Sequence, residues 1–216
     1  MSRDIVAREH ILHRVRTALG RSSGQPAPAP PPARLPVSRM DTEERVSTML
    51  HVVEALAGKT RRVRGPEEAR GLVAEAIERN TAVASNAPFL AACGITSLPG
   101  VRSGIVDRDE LRERCAAADI GITSADYALA DSGTLVMMAG PDEARVISLL
   151  PPEHIAVVPR ERILTGLEEL FTLMPYPAGR TSSMVLITGP SRTADIEQIL
   201  VRGVHGPGRL TVVVVG

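Results

Sequence analysis

The sequence predicts an α/β domain built on a mostly parallel sheet with helices on both faces, preceded by a helix on a Pro-rich linker. Three observations carry that expectation. Short apolar runs without polar alternation recur, such as "TAVAS" (81–85), "GTLVMMA" (133–139) and "LTVVVVG" (210–216). Strands buried on both faces read this way. Amphipathic helical stretches alternate with these runs, as βαβ units require. Finally, "RSSGQPAPAPPPARLP" (21–36) interrupts the pattern with a tract that favours neither helix nor sheet. The expected organisation is an amphipathic helix over 1–20, a Pro/Ala-rich linker over 21–36 and one α/β domain over 37–216.

The bulk chemistry narrows the function classes. Of 216 residues 44% are hydrophobic but only 2% aromatic, so the core must be aliphatic. Lys+Arg and Asp+Glu both number 25. A zero net charge without aromatic stacking platforms argues against nucleic-acid binding. Nearly every basic residue is Arg, with Lys59 the exception; codon usage explains this, as does handling of anions by guanidinium forks. Cys93 and Cys115 belong to no CxxC pattern, so the pair cannot itself hold zinc or an iron–sulfur cluster, and no cofactor or metal is expected on this chain. Isolated thiols suit a reducing compartment. The N-terminus lacks a signal-peptide apolar block, and no run reaches membrane-spanning length. A cytoplasmic location without membrane insertion is the expectation.

Each element follows from local pattern. Ile5, Ile11, Leu12, Val15 and Leu19 fall at helical spacings, opposite Arg8, His13, Arg14 and Arg16, and Gly20 is a stop signal. This stripe can dock on its own domain, on a second copy of the chain or on a partner. Asp41 to Glu44 has capping-box spacing, followed by Val46, Met49, Leu50, Val53 and Leu56 at helical positions. "TRRVR" (60–64) is a strand, "PEEARGLVAEAIER" (66–79) a helix opening on proline and two acids, and "TAVAS" a buried strand. A short helix or turn is expected at 88–94, a helix at 108–118 and a strand over "DIGIT" (119–123). Further strands are expected at 133–139 and 154–159, a helix at 161–174, a strand at 184–188, a helix at 193–203 and a last strand at 210–216. Between 133 and 158 two strands follow closely with no obvious helix, which predicts a hairpin-like or mixed stretch.

Ligands in open α/β sheets bind beyond the carboxyl ends of the strands, which directs attention to three polar clusters. In "GITSADYALADSGTL" (121–135), Thr123 and Asp126 have capping-box spacing, while Ser132, Gly133 and Thr134 form a turn into a strand. A cap plus a tight turn explains the cluster; so does an oxygen-rich pocket floor. In "ARVISLLPPEHIAVV" (144–158), Arg145 and Ser148 flank apolar residues, and His154 at a strand edge is either structural or a general acid or base. In "ITGPSRTADIE" (187–197) an apolar strand meets an expected helix start. Ser191 reads as its N-cap, and Asp195 and Glu197 complement the helix dipole, each worth roughly 0.3–1 kcal/mol. Capping does not account for Arg192 and Thr193. Gly189 would let an anion approach, and Arg192 can fork onto a carboxylate or phosphate. His205 lies in the glycine-rich "GVHGPG" (203–208), which a full intervening helix would place at the opposite end of the sheet. No GxGxxG, Walker, HExxH or GxSxG motif occurs.

Four segments carry a family resemblance: "ILHRVRTALG", "GITSADYALADSGTLV", "RVISLLPPEHIAVV" and "MVLITGPSRTADIEQILVRGVHGPGRLTVVVV". They resemble the LUD-domain lactate utilization protein C family, also called LutC or YkgG, most strongly from Gly121 onward. The resemblance implies a NagB/RpiA/CoA-transferase-like fold and a bacterial role in oxidising L-lactate to pyruvate. It also implies partner subunits that carry iron–sulfur clusters, with a cluster-free role for this chain. It assigns no catalytic residue. The ligand site it implies takes a small anion and comprises Thr123, Asp126, Ser132, Gly133, Thr134, Arg145, Ser148, His154, Gly189, Ser191, Arg192, Asp195, Glu197 and His205. Two alternatives stand beside it. One is a stand-alone sugar-phosphate isomerase or CoA-transferase-like enzyme, for which Asp195 and Glu197, two apart on a helix, do not share a face. The other is a scaffold without a ligand.

Overall fold

A computed structural model of the chain describes residues 3–22, 24–26, 40–193 and 201–216. The chain divides into two compact units, Met1–Arg34 and Leu35–Gly216. The first contains α1 (Arg3–Ala18), the only helix or strand among its described residues, and Ile11, Val15 and Leu19 are exposed. Most of the expected linker over 21–36, namely residues 23 and 27–36, lies outside the described residues.

The second unit opens with α2 (Thr42–Ala55). β1 (Lys59–Val63), α3 (Pro66–Ala76), β2 (Ala82–Ala84), α4 (Pro88–Ala92) and β3 (Val101–Arg102) follow. Then come α5 (Arg108–Ala117), β4 (Ile120–Ser124), β5 (Tyr127–Leu129), β6 (Thr134–Met138), α6 (Arg145–Leu149) and β7 (Glu153–Pro159). The chain continues through β8 (Ile163–Leu164), α7 (Leu167–Leu173), β9 (Met184–Thr188), β10 (Arg192–Thr193), β11 (Val201–Arg202) and β12 (Arg209–Val215). The expected capping box is present on α2: the Glu44 N–H donates to Asp41 Oδ1 at 2.9 Å and the Asp41 N–H to Glu44 Oε2 at 2.9 Å.

Six strands form one sheet in the order β1-β12-β7-β4-β2-β3, parallel throughout. The apolar runs of β4, β7 and β12 fall at its centre, where both faces are covered. Ile122, Ile155, Val157 and Val213 pack on one face with Val73 of α3 and Leu90 of α4. Ala156, Val158, Val212 and Val214 pack on the other with Val46, Met49 and Val53 of α2. Helices α5 and α6 cover the β2 end of that second face through Leu111, Cys115 and Ile147. α6 sits so close to β4 that a Cβ on Gly121 would lie 1.9 Å from the Ile147 carbonyl oxygen. Both cysteines are buried in this packing, and burial pushes the Cys115 thiol up to about 11.

The mixed stretch expected over 133–158 resolves into a second sheet. β6 runs antiparallel to β5 and β9, and β8 joins parallel to β5, giving the order β8-β5-β6-β9. Its inner face adds Ala128, Leu135 and Met137 to the α2 cluster. Its outer face is covered by Leu170 of α7. The two close strands, β6 and β7, therefore enter different sheets, and the short helix α6 connects them.

Several expectations need correction. The helix read over 161–174 begins only at Leu167, because Ile163 and Leu164 pair with Ala128 and Leu129 instead. "MVLIT" forms an edge strand, half-exposed rather than buried, because β6 is its only partner among the described residues. The helix expected from Thr193 is replaced at both described ends by an antiparallel ribbon, Arg192 opposite Arg202 and Thr193 opposite Val201; residues 194–200 lie outside the described residues. Ser191 therefore precedes a strand and is no N-cap. Thr123 and Asp126 cap no helix either: β4 runs through Thr123 and β5 follows at Tyr127.

Candidate functional site

A cleft of about 520 Å³ opens at the amino edge of β7 and β12. One wall is Ser148 and Leu149 at the end of α6, His154 at the start of β7, and Leu210. The other is β9 from Val185 to Thr188, the turn Gly189 to Arg192, and the loop His205 to Pro207. The strand-end rule had pointed to the carboxyl edge of the main sheet. The turn does lie at the carboxyl end of its own strand, but β9 belongs to the second sheet, which delivers that end to the amino edge of the first.

Three clusters far apart in sequence meet here. The Ser191 N–H donates to the Pro207 carbonyl at 2.9 Å, and the Gly203 N–H donates to the Ser191 carbonyl at 3.0 Å. These bonds stitch the 189–193 turn to the 203–207 loop and bring His205 beside Ser191, where a full helix would have separated them. Arg192 is anchored through Nη2 to the Leu56 carbonyl, and among the described residues it enters no ion pair. No described lining residue is acidic.

His154 is the buried pivot. Its Nε2 lies 2.7 Å from the Thr123 hydroxyl, and its Nδ1 is buried without a partner. Burial drives its pKa down to about 4, so the ring is neutral near pH 7. It can hydrogen-bond a ligand or a water at Nδ1, and it adds no positive charge. The Ser148 hydroxyl donates to the Arg145 carbonyl at 3.1 Å. Thr123 thus supports the cleft from behind, between the two sheets.

The other expected residues separate. Ser132 and Thr134 reach the cleft through a hydroxyl chain, in which Thr134 Oγ1 lies 2.9 Å from Ser132 Oγ and 2.8 Å from Thr188 Oγ1. Gly133 sits beneath α2 at φ 63°, where a Cβ would meet Val52 Cγ1 at 2.9 Å; its role is close packing. Arg145 does not line the cleft: it donates to Ser183 Oγ at 3.2 Å. Asp126 lies at the opposite edge, accepting from the Met138 N–H at 2.7 Å. Asp195 and Glu197 fall outside the described residues. Sequence reading passed over Thr188, although it ends the same apolar strand that Gly189 follows. It also passed over Leu56 and Leu210, which carry only a core signal. Among the described residues, no group of three or more His, Cys, Asp and Glu is placed to hold a metal ion.

Comparison with known proteins gives this geometry a lineage. A family model described as the LUD domain matches residues 46–215. A lactate utilization protein C from Halalkalibacterium halodurans is 37% identical over 157 residues, covering 69% of this chain and 68% of that protein. The proteins of the same name from Exiguobacterium sp. and Macrococcus caseolyticus are 44% and 42% identical over 108 and 102 residues, 48% and 45% of this chain. Those two matches span about half the length of the relatives, 47% and 44%. A crystal structure of a DUF162 family protein from Deinococcus radiodurans shares the fold, with a TM-score of 0.63, 22% identity and coverage of 82% of this chain and all of that one. The chain belongs to the LUD-domain lactate utilization protein C family.

Proposed function

We propose that this protein serves bacterial lactate utilization as a cluster-free subunit, and that its amino-edge cleft holds a small carboxylate or phosphate. The observation that carries the reading is the convergence of Ser148, His154, Gly189, Ser191, Arg192 and His205 on one cleft whose described lining residues include no acid. The exposed Arg192 guanidinium attracts an anion, and His205, Ser191 and Thr188 offer side-chain hydrogen bonds to its oxygens. The names borne by the relatives supply the pathway: lactate and pyruvate are both small carboxylates. Oxidation of lactate needs an electron acceptor, and the reading places that chemistry on iron–sulfur partner subunits in the cytoplasm.

A thermal-shift screen of the full chain with L-lactate, pyruvate and phosphate esters tests the cleft. A ligand at a hundred times its dissociation constant adds about 2.7 kcal/mol of stability. His205→Ala should remove most of that shift. A cleft indifferent to all three ligand classes would count against an anion site. Normal growth of a clean deletion strain on L-lactate would remove the pathway assignment.

A further inference from the structure

The carboxyl edge of the main sheet holds a second cavity, of about 290 Å³, between β2 and β4. Adjacent parallel strands here send their continuations to opposite faces. The chain leaves β2 for α4, whose Leu90 packs on one face, and leaves β4 through Ala125, which packs on the other. Such a divergence opens a crevice beyond the strand ends, the general location of ligands in open α/β sheets. Ser124, Asp126, Glu143, Arg162 and Arg180 line it beside Phe89.

Its polar groups are left unsatisfied in a way that packing does not explain. Ser124 is 4% exposed, yet its hydroxyl has no hydrogen-bond partner. Glu143 Oε2, on the same cavity, is also buried and unpartnered. Unmade hydrogen bonds on buried groups are costly, so their clustering at a cavity points to a ligand. The charge pattern then selects the ligand. Arg162 and Arg180, both exposed, line the same cavity as the carboxyl groups of Asp126 and Glu143. A bare anion would gain from the arginines and lose to the carboxylate. A ligand carrying hydroxyls as well as a carboxylate satisfies both.

We propose that this cavity binds a small hydroxylated carboxylate, with its carboxylate on Arg162 and Arg180 and its hydroxyls on Ser124, Asp126 and Glu143. The site is distinct from the amino-edge cleft and does not depend on the anion reading made there. Glu143 enters as a hydrogen-bond donor, because burial, with Asp126 and Asp142 close by, holds its carboxyl up at about 8 against the opposing pull of Ser85 and the Ser124 amide.

Isothermal titration calorimetry of the full chain carrying His205→Ala, which removes a lining residue of the amino-edge cleft, tests this with D-glycerate and L-lactate, and with pyruvate and inorganic phosphate as ligands lacking the hydroxyl. The hydroxy acids should bind at least about tenfold more tightly than pyruvate or phosphate, and Ser124→Ala should weaken them by about tenfold. Glu143→Gln retains a donor, so it should bind at about pH 7 and lose the weakening that the wild type shows towards about pH 9. Equal binding of pyruvate, an unaffected Ser124→Ala variant, or no binding of either hydroxy acid would each overturn the assignment.

Discussion

The two edges of the six-stranded sheet answer burial in opposite directions. At the amino edge the fold buries a base, His154, and depresses its pKa to about 4. At the carboxyl edge it buries an acid, Glu143, and raises its pKa to about 8. The cause is the same in both: a low-dielectric site disfavours whichever form is charged. The consequence is that each edge keeps a neutral hydrogen-bonding group near pH 7, backed by buried hydroxyls. The edges differ in their remaining charges. The amino-edge cleft has Arg192 with no described acidic wall, whereas the carboxyl-edge cavity holds Arg162 and Arg180 together with Asp126. One suits a bare anion, the other a ligand that also donates.

The sharpest way to break that comparison is through pH. Unfolded Glu143 ionises near 4.5 and the folded group near 8. Between those values the folded state binds the extra proton, so stability should fall as pH rises, by roughly 4 kcal/mol. Denaturant melts of Glu143→Gln should lose that fall and exceed the wild type at pH 8. His154 runs the other way. Its unfolded pKa is 6.5 and its folded value about 4, so acidification through that window protonates only the unfolded chain and should lower stability by roughly 3 kcal/mol. Should both titrations slope in the same direction, the opposition between the edges is wrong.

Gly121→Ala probes the contact on which the amino-edge wall depends. Its Cβ has only 1.9 Å to the Ile147 carbonyl, so α6 must shift, at a cost of about 3 kcal/mol in chemical denaturation. Ser148 and Leu149 would move with it, and anion binding at the cleft should weaken while the carboxyl-edge cavity keeps its ligand. Thr123→Val removes the partner of His154 Nε2. An orphaned buried ring nitrogen should cost about 1–3 kcal/mol, read from the shift in denaturation midpoint. Asp41→Ala is the smallest of these perturbations. It removes the N-terminal cap of α2, at the end of the helix away from Leu56, and should cost about 1 kcal/mol in the same measurement.

Much of the fold was legible in the chain because its signals are local. The capping box at Asp41, the proline and acids that open α3, and the unbroken apolar runs of β4, β7 and β12 each declare themselves within a few residues. The site was legible in part. Ser148, His154, Ser191, Arg192 and His205 were all identified from their residue types at turns and strand ends. Their meeting was not, because the reading supplied a helix from Thr193 onward that would have carried His205 away. Ser191 and Asp126 showed the converse limit, since spacing suited to a cap says nothing about whether a helix follows. Glu143 escaped notice altogether: "GPDEAR" reads as a solvated turn, and only burial makes its carboxyl unusual.

The sequence by itself determined the alternation of helices and strands, the aliphatic core and the family, since these follow from periodicity, composition and motif. Tertiary structure alone decided that β9 belongs to a second sheet, that the conspicuous cluster sits at the amino edge, and that an acid and a base are held neutral at opposite ends. The physical reason is that strand partnership and desolvation depend on residues brought together from distant parts of the chain, and no local window records them.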